Sequence, residues 1–395
     1  MSLAGAPPRS LFSDAPRTRT GPAPYAEPEY DALDRAARPY AVEVRSTLDR
    51  WFSELPDYAR PSIRANFRSP KTPVHRGALL ELYLHETFRR LGFEIDLDVG
   101  REDPTRRRPD FLLEPDGART WVEATAVLGA DVFTAAERAR LQQFYDLLNG
   151  CRDKRFLLSP QVDEVGGATL GRAQILDPIE EWLAGLDAAD VRRRIDRGAE
   201  PPEIRLTPEG WVVAVEATPV REDMPLLEHE RVLGSSIEGV AELDDVRPLR
   251  RNLKRKATRY GALDAPYVIA VLCVGTFVED RDVAEALLGD TEYRWDRERG
   301  GVSGVRLPNG LWYAPGKPAN TRVSAVVTIP HLSATSAAVV EPTVWTNPWA
   351  RRPLQLELPW RRQEIAPDGR ITTHEAAHSA ADILQLPPGW PHSGR

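Results

Sequence analysis

The stretch RPDFLLEPDGARTWVEATAV, residues 108–127, has the pattern of a β-hairpin. Two apolar-rich runs flank a Pro-Asp-Gly turn, which is typical of two antiparallel strands. Each predicted strand carries one carboxylate among apolar residues, Asp110 in the first and Glu123 in the second. Because side chains alternate along a strand, the two carboxylates are expected on the same, more open side, and Ala124 faces a packed helix.

Two carboxylates on neighbouring strands repel each other, which makes one of them harder to ionise. A divalent cation removes that conflict. Mg²⁺ prefers oxygen ligands and commonly takes one or two carboxylates together with water and substrate phosphate. Asp110 and Glu123 therefore predict a metal site suited to phosphoryl transfer, with Mg²⁺ or Mn²⁺ as the cofactor and the Ala124 carbonyl as a further oxygen ligand.

The elements around the hairpin follow from hydrophobic periodicity and turn signals. Residues 76–92 predict a helix and residues 93–99 a strand, both before the hairpin. Residues 244–262 predict a basic helix, and the apolar run 266–277 predicts a strand buried on both faces. A helix, a three-strand meander, a crossover helix and a strand together predict an α/β fold.

Composition divides the rest of the chain into four parts. The predicted parts are a disordered leader (1–38), a core (39–127 and 244–290), an α+β insertion (128–243) and a Trp/Pro-rich C-terminal extension (291–395). Within the insertion, residues 132–150 are predicted to form a long helix, residues 175–195 to be helical and residues 203–220 to form a second hairpin.

Pro109-Asp110, followed by Glu123 in the next strand, resembles the motif of the PD-(D/E)xK nuclease superfamily, whose members have a restriction-endonuclease-like fold. The order of elements is also similar, and the resemblance covers residues 76–127 and 244–277. It implies a metal-dependent nuclease that hydrolyses nucleic acid, in the first place DNA, in bacterial defence or repair. A homodimer is compatible with this interpretation.

The chain departs from the superfamily at Thr125, which stands where a lysine is expected. Thr supplies no positive charge for the developing phosphorane. Some members carry this cation on the following helix, and here Lys256 precedes Tyr260 by four residues. That spacing resembles the Q-x-x-x-Y element of the exonuclease branch, with Lys in place of Gln. The alternative is a solvated basic helix whose lysine stem lies along the core, and Lys254 is expected to face solvent.

The resemblance also implies a glutamate on the first helix. At about 100° per residue, Glu81 lies on the same side as the buried Phe88, whereas Glu86 is expected to face solvent. The expected catalytic residues are therefore Asp110, Glu123, Lys256 and Glu81, and the expected metal ligands are Asp110, Glu123 and Glu81. Arg108, Arg251 and Tyr260 are expected to bind the substrate.

Two other functions remain open from the sequence. The lack of a lysine at Thr125 favours a nuclease-like protein that binds nucleic acid or a partner without cleaving it. The run His374-Glu375-Ala376-Ala377-His378 matches the H-E-x-x-H helix of zinc proteases, although its flanks are polar and the chain after it is short.

The second predicted hairpin repeats part of the first. The run Val122-Glu123-Ala124-Thr125 recurs as Val215-Glu216-Ala217-Thr218, and Glu203 precedes Glu216 as Asp110 precedes Glu123. This copy lacks the Pro-Asp pair and a preceding glutamate helix. It is interpreted as two extra strands of the insertion.

Composition and charge exclude several classes of protein. Apolar runs are too short to cross a membrane, and the N-terminal residues lack the apolar segment of a signal peptide, so no membrane partner is expected. The two cysteines, Cys151 and Cys273, exclude a disulfide scaffold and fit a reducing cytoplasm. With a net charge of −7, any nucleic-acid site has to be a local basic patch.

Overall fold

The computed structural model describes residues 8–97, 108–114, 117–128, 133–221, 231–233, 246–274, 279–296, 301–314 and 317–392. Helices and strands in this part of the chain form a mixed α/β protein with one large mixed sheet, so the predicted α/β class is confirmed. Among the described helices, none combines the length and the apolar character needed to cross a bilayer.

The described residues form ten α-helices and a short 3₁₀ turn at Pro208–Gly210. The helices are α1 (Glu29–Arg35), α2 (Pro39–Ser53), α3 (Arg60–Phe67), α4 (Thr72–Arg90), α5 (Ala135–Asn149), α6 (Arg172–Ala184), α7 (Ala188–Ile195), α8 (Val246–Ala257), α9 (Asp280–Leu288) and α10 (Ala380–Leu384).

Fifteen strands lie in the same part of the chain. They are β1 (Glu94–Leu97), β2 (Phe111–Glu114), β3 (Thr120–Leu128), β4 (Phe156–Glu164), β5 (Glu203–Leu206), β6 (Val212–Pro219), β7 (Tyr267–Val274), β8 (Thr291–Asp296), β9 (Gly301–Arg306), β10 (Tyr313–Ala314), β11 (Lys317–Pro318), β12 (Ala325–Pro330), β13 (Thr343–Thr346), β14 (Arg361–Ile365) and β15 (Ile371–His374).

The large sheet has the strand order β1-β2-β3-β7-β12-β13-β14-β15. Strands β1, β2 and β3 form an antiparallel meander, and β7 pairs with β3 in parallel, with Glu123 opposite Ile269. Helix α4 precedes the meander and α8 precedes β7. The predicted order of helix, three strands, helix and strand is therefore present in this half of the sheet.

Helices cover both faces of β3, which explains why nearly all of its residues are buried. Helix α4 packs against β3, and the Phe88 ring of α4 meets the Phe111 ring of β2 edge-on, with centroids 5.8 Å apart. On the other face, Leu249 and Leu253 of α8 share a core cluster with Trp121. The run YVIAVLCV of β7 is buried at every position except the last, as predicted for a central strand.

Two predicted parts of the chain differ from the structure. The C-terminal extension (291–395) supplies β12 to β15 and so completes the large sheet rather than standing apart. The leader (1–38) was expected to be disordered, but its described residues include α1 and the buried residues Leu11 and Phe12. Composition rich in Pro and Arg predicts disorder, but it does not show that single apolar residues such as Leu11 and Phe12 pack into a core.

The chain divides into two compact units. The first comprises residues 1–15, 39–130 and 244–395 and contains the large sheet. The second comprises residues 16–38 and 131–243, so it combines part of the predicted leader with most of the predicted insertion. Its three-stranded sheet has the order β4-β6-β5, and its core includes Phe144 and Trp211.

Residues 175–195 are helical as predicted, except that residues 185–187 interrupt the helix and divide it into α6 and α7. Gly185 ends α6, and Asp187 caps α7 by accepting hydrogen bonds from the backbone N–H groups of Ala189 and Asp190. A Gly-x-Asp run both stops one helix and starts the next.

Candidate active site

The two carboxylates of the hairpin lie on the same side of neighbouring strands. Phe111 pairs with Val122, and the same register continued by one residue places Asp110 opposite Glu123. The Oδ2 atom of Asp110 accepts a hydrogen bond of 2.7 Å from the backbone N–H of Ala124. The side of the sheet predicted from alternation is therefore the one found. However, Glu123 is fully buried, so the expectation of an open side is wrong for this residue.

Three side chains at the end of α8 and just beyond it donate to the Glu123 carboxylate. Lys256 Nζ donates to Oε1, Arg259 Nη1 donates to the same oxygen at 2.9 Å, and the Tyr260 hydroxyl donates to Oε2. Lys256 lies in the last turn of α8, and Arg259 and Tyr260 follow just after the helix end. Glu123 is therefore a buried anion held by two cations and a phenol.

Asp110 is in a different electrostatic environment. Its pKa is raised well above the ordinary value, first because burial removes water and then because the Glu123 and Glu81 carboxylates repel its charge. The Ala124 hydrogen bond and Lys256 act in the opposite direction and offset only part of the rise. A positive charge near Asp110 would therefore favour its ionised form.

Lys256 is the helix lysine that was expected near the two carboxylates, and it lies beside Glu123. Its ammonium contacts the Glu123 carboxylate directly, so a positive charge from α8 lies at this site. The Thr125 hydroxyl lies 3.3 Å from Oδ1 of Asn252 on the same helix. Tyr267 of β7 donates to the Lys256 carbonyl at 3.1 Å, which ties the end of α8 to the sheet. Lys254 is exposed, as predicted, and donates to the Asn309 carbonyl at 2.8 Å.

The first-helix glutamates differ in part from expectation. Glu81 is half-buried and lines a cleft of about 300 Å³ together with Asp110, Arg108 and Tyr58. Glu86 was expected to face solvent, but it is fully buried. Glu86 is not among the carboxylates that act on Asp110, which are Glu123 and Glu81.

The burial of Glu86 has a local cause. Its carboxylate accepts hydrogen bonds from Arg89 Nε at 2.8 Å and from Arg90 Nε at 2.5 Å, three and four residues later on α4. A helical wheel scores Glu86 as polar, whereas the paired arginines neutralise its charge and allow burial. The Glu-x-x-Arg-Arg spacing at residues 86–90 was the sequence feature that could have predicted this buried ion pair.

The residues expected to bind substrate have three separate environments. The Arg108 guanidinium lies 5.4 Å from the ring centroid of Trp121, at the edge of the cleft. Arg251 is exposed on α8. Tyr260 is buried, and its hydroxyl donates a hydrogen bond to Glu123. Arg259 was not among the expected site residues, and its contact with Glu123 was not predicted.

The donor set of the site bears on whether it fits a divalent cation. The described residues contain no group of three or more His, Cys, Asp or Glu side chains arranged to hold a metal ion. A carboxylate has about four lone-pair positions. In the described structure, the Glu123 carboxylate accepts three hydrogen bonds and the Asp110 carboxylate accepts one.

Oxygen sites therefore remain on both carboxylates, most of them on Asp110. Mg²⁺ is often bound by one or two carboxylates, with water and substrate filling the other positions. The pair Asp110 and Glu123 fits that kind of site, and a self-contained three-carboxylate site does not fit the described residues.

Two motifs outside this site have structural explanations. Glu203 pairs with Glu216 across β5 and β6, in the three-stranded sheet of the second unit. His374 ends β15, where its Nε2 lies 3.1 Å from Glu364, and residues 375–379 are not helical. Because the zinc-protease motif needs both histidines on one helix face, that alternative is wrong.

Comparisons with protein-family models, with curated proteins and with solved structures find nothing that matches this chain.

Proposed function

We propose that this protein is a nuclease that hydrolyses phosphodiester bonds in nucleic acid, with DNA as the first substrate to test, and that it uses Mg²⁺ or Mn²⁺. The observation that carries the proposal is the side-by-side placement of Asp110 and Glu123, with Lys256 on Glu123. In this proposal, α4, the meander, α8 and β7 form a restriction-endonuclease-like core. A role in bacterial defence or repair belongs to the same proposal.

Asp110 and Glu123 are assigned to hold the cation. A bound divalent ion would polarise a phosphoryl oxygen. It would also lower the pKa of its bound water, so that hydroxide forms more readily near neutral pH. The cation would favour ionised Asp110, whose pKa is raised by burial and then by repulsion from Glu123 and Glu81. Glu81 lines the same cleft as Asp110 and is assigned to orient groups there.

Lys256 and Arg259 are assigned to place positive charge beside the reacting phosphate. Both donate to Oε1 of Glu123, which fixes their positions before substrate arrives. Charges that are held in place in a water-poor site stabilise a developing negative charge more than mobile charges in water. Tyr260 keeps the other Glu123 oxygen aligned by its hydroxyl bond.

The exposed face of α8 is assigned to the nucleic-acid backbone. Arg251 and Arg255 are exposed on this helix, whereas Arg250 turns inward and contacts Asp290, with Nη1 3.3 Å from Oδ2. A local basic face of this kind binds phosphates even in a chain with an acidic total charge.

A second candidate is a protein that binds nucleic acid without cleaving it. The observation in its favour is that Lys256, Arg259 and Tyr260 engage both oxygens of Glu123. A carboxylate held in this way resembles a structural buried ion pair, whose charges stabilise each other and have no other role. The experiment must therefore separate binding from cleavage.

The test is incubation of purified protein with plasmid, single-stranded DNA and RNA, each with Mg²⁺, Mn²⁺ or EDTA. We expect cleavage that EDTA abolishes and that Glu123→Gln reduces at least about 100-fold, since a charged group of the site is lost. The matched control is Glu216→Gln, in the repeated Val-Glu-Ala-Thr run of the second unit, which should cleave like the wild type.

Binding of nucleic acid without cleavage under every metal condition would favour the second candidate. Cleavage that persists in EDTA, or that is equally reduced by both glutamine variants, would contradict the proposed site.

A further inference from the structure

A small cavity beyond the end of α8 is lined by three arginines. It has a volume of about 110 Å³, and Arg322, Arg351 and Arg352 contribute to its walls. The rings of Tyr260 and Tyr267 form another part of the wall. Because the Tyr260 hydroxyl is bonded to Glu123, the cavity is separated from the candidate active site by one tyrosine.

Backbone contacts bring the three arginines together. The Arg351 N–H donates to the Thr321 carbonyl at 2.7 Å, and the Ser324 hydroxyl donates to the Arg352 carbonyl at 2.6 Å. These bonds hold residues 351–352 close to the segment that carries Arg322, three residues before β12 begins. The cavity is therefore a defined feature of the fold.

The side chains of two arginines are oriented by carbonyl groups. Arg322 Nη1 donates to the Tyr260 carbonyl at 2.5 Å, and Arg352 Nε donates to the Asp264 carbonyl at 3.1 Å. Neutral carbonyl acceptors orient a guanidinium without cancelling its charge. The remaining N–H groups of each fork stay available for a ligand.

No carboxylate in the described part of the chain pairs with these three arginines. The Asp264 carboxylate accepts instead from Trp121 Nε1 at 2.9 Å and from Arg119 Nη1 at 3.0 Å. Three like charges around one small cavity repel each other, and an anion in the cavity would remove that repulsion.

We propose that this cavity binds a phosphate group of a nucleic-acid strand, next to the bond that the active site cleaves. Arginine forks match phosphate oxygens in geometry and charge. The volume suits a single phosphate group, since pockets for drug-sized ligands begin at about 300 Å³. A strand is favoured over a free phosphate because Tyr260 joins the cavity to Glu123. The inference rests on the proposed function.

The test measures binding of labelled single-stranded DNA in EDTA, with either a 5′-phosphate or a 5′-hydroxyl end. We expect Arg351→Ala to weaken binding about tenfold and to reduce the salt dependence by about 0.7 of a counterion. Arg351→Lys should recover part of the loss, because it keeps the charge but not the fork. A loss restricted to 5′-phosphorylated DNA assigns the cavity to a strand end, and an equal loss on both assigns it to an internal phosphate.

The matched control is Arg370→Ala, which removes the same charge from the turn between β14 and β15, at the far edge of the sheet. Arg351 is exposed, so its variants should melt like the wild type, and Arg322→Ala provides a second variant of the same cavity. Binding by Arg351→Ala and Arg322→Ala that equals binding by Arg370→Ala overturns the proposal.

Inorganic phosphate, tested alone by calorimetry, separates the two sources of the anion. Arg351-dependent binding of free phosphate, with DNA binding unaffected by Arg351, also overturns the assignment to a strand. The nuclease proposal is judged separately. If DNA binding depends on Arg351 but the protein never cleaves DNA, the cavity is supported and the nuclease proposal is contradicted. If the wild type cleaves DNA but Arg351→Ala binds DNA equally well, the nuclease proposal is supported and the cavity is contradicted.

Discussion

Lys256 and Lys254 are two residues apart on α8 and face different surroundings. Lys256 contacts the buried Glu123 carboxylate, whereas Lys254 is exposed and bonds a carbonyl. If the ammonium of Lys256 assists the reaction, Lys256→Met should lower kcat about 100-fold with little change in KM, because the lost interaction acts in the transition state. Lys254→Met should change kcat less than about threefold. Steady-state kinetics on DNA checks both values, and equal effects of the two variants would contradict the assignment.

His85 makes stability depend on pH. Burial lowers its pKa to about 4, and the nearby Glu86 and Arg89 act in opposite directions on it. The unfolded chain takes up the His85 proton near pH 6.5. The stabilisation from neutral, buried His85 is therefore complete above pH 6.5 and is lost as the pH falls from 6.5 towards 4.

We expect His85→Gln to abolish up to about 3 kcal/mol of this pH dependence, measured by urea unfolding between pH 4 and 7.5. The exposed His378 provides the control, and His378→Gln should keep the wild-type profile. An unchanged slope in His85→Gln would show that His85 is not buried as a neutral group.

At the scale of elements, α8 has one face in the core and one in solvent. Leu253 is fully buried in the cluster beneath β3 and β7, and Arg255 is exposed two residues later. Leu253→Ala should lower the free energy of unfolding by about 3 kcal/mol, because it leaves a cavity, whereas Arg255→Ala should cost less than about 0.5 kcal/mol. Chemical denaturation measures both, and a small effect of Leu253→Ala would mean that α8 does not pack as described.

Local patterns predicted most elements of the core. Alternation in residues 108–127 and the unbroken apolar run of β7 were enough to predict a hairpin and a central strand. The same alternation placed Asp110 and Glu123 on one side. The burial of Glu123 was not predictable, because it depends on donors more than 130 positions away in the sequence.

Glu86 and the C-terminal strands show where local patterns are insufficient. A helical wheel treats Glu86 as one polar residue and ignores the two arginines that neutralise it. The pairing of β12 with β7 joins segments separated by a helix and several short strands, and alternation within one strand carries no information on its partner. The pairing of distant strands therefore could not be predicted from local sequence patterns.

At the scale of the whole molecule, the site residues lie in the first unit, and the second unit has a core of its own. Phe144 is buried in that core, with its ring centroid 5.5 Å from Trp211. Phe144→Ala should destabilise the second unit by about 3–5 kcal/mol and leave cleavage at low temperature intact.

The comparison variant is Phe88→Ala, in the core of the first unit, which should reduce both stability and cleavage. Calorimetry and cleavage on the same samples measure the two effects. Loss of cleavage in Phe144→Ala at temperatures where the first unit remains folded would show that catalysis also depends on the second unit.

The most direct test of the proposed chemistry is the single-turnover cleavage rate of Asp110→Asn at saturating Mg²⁺ and Mn²⁺. Asn keeps the size of the side chain and an oxygen that can accept from Ala124, but it removes the charge that would bind a cation. We predict at least a 100-fold loss of rate with both metals while DNA binding in EDTA stays unchanged. A rate within about threefold of the wild type would contradict the assignment of Asp110 and Glu123 as a catalytic metal site.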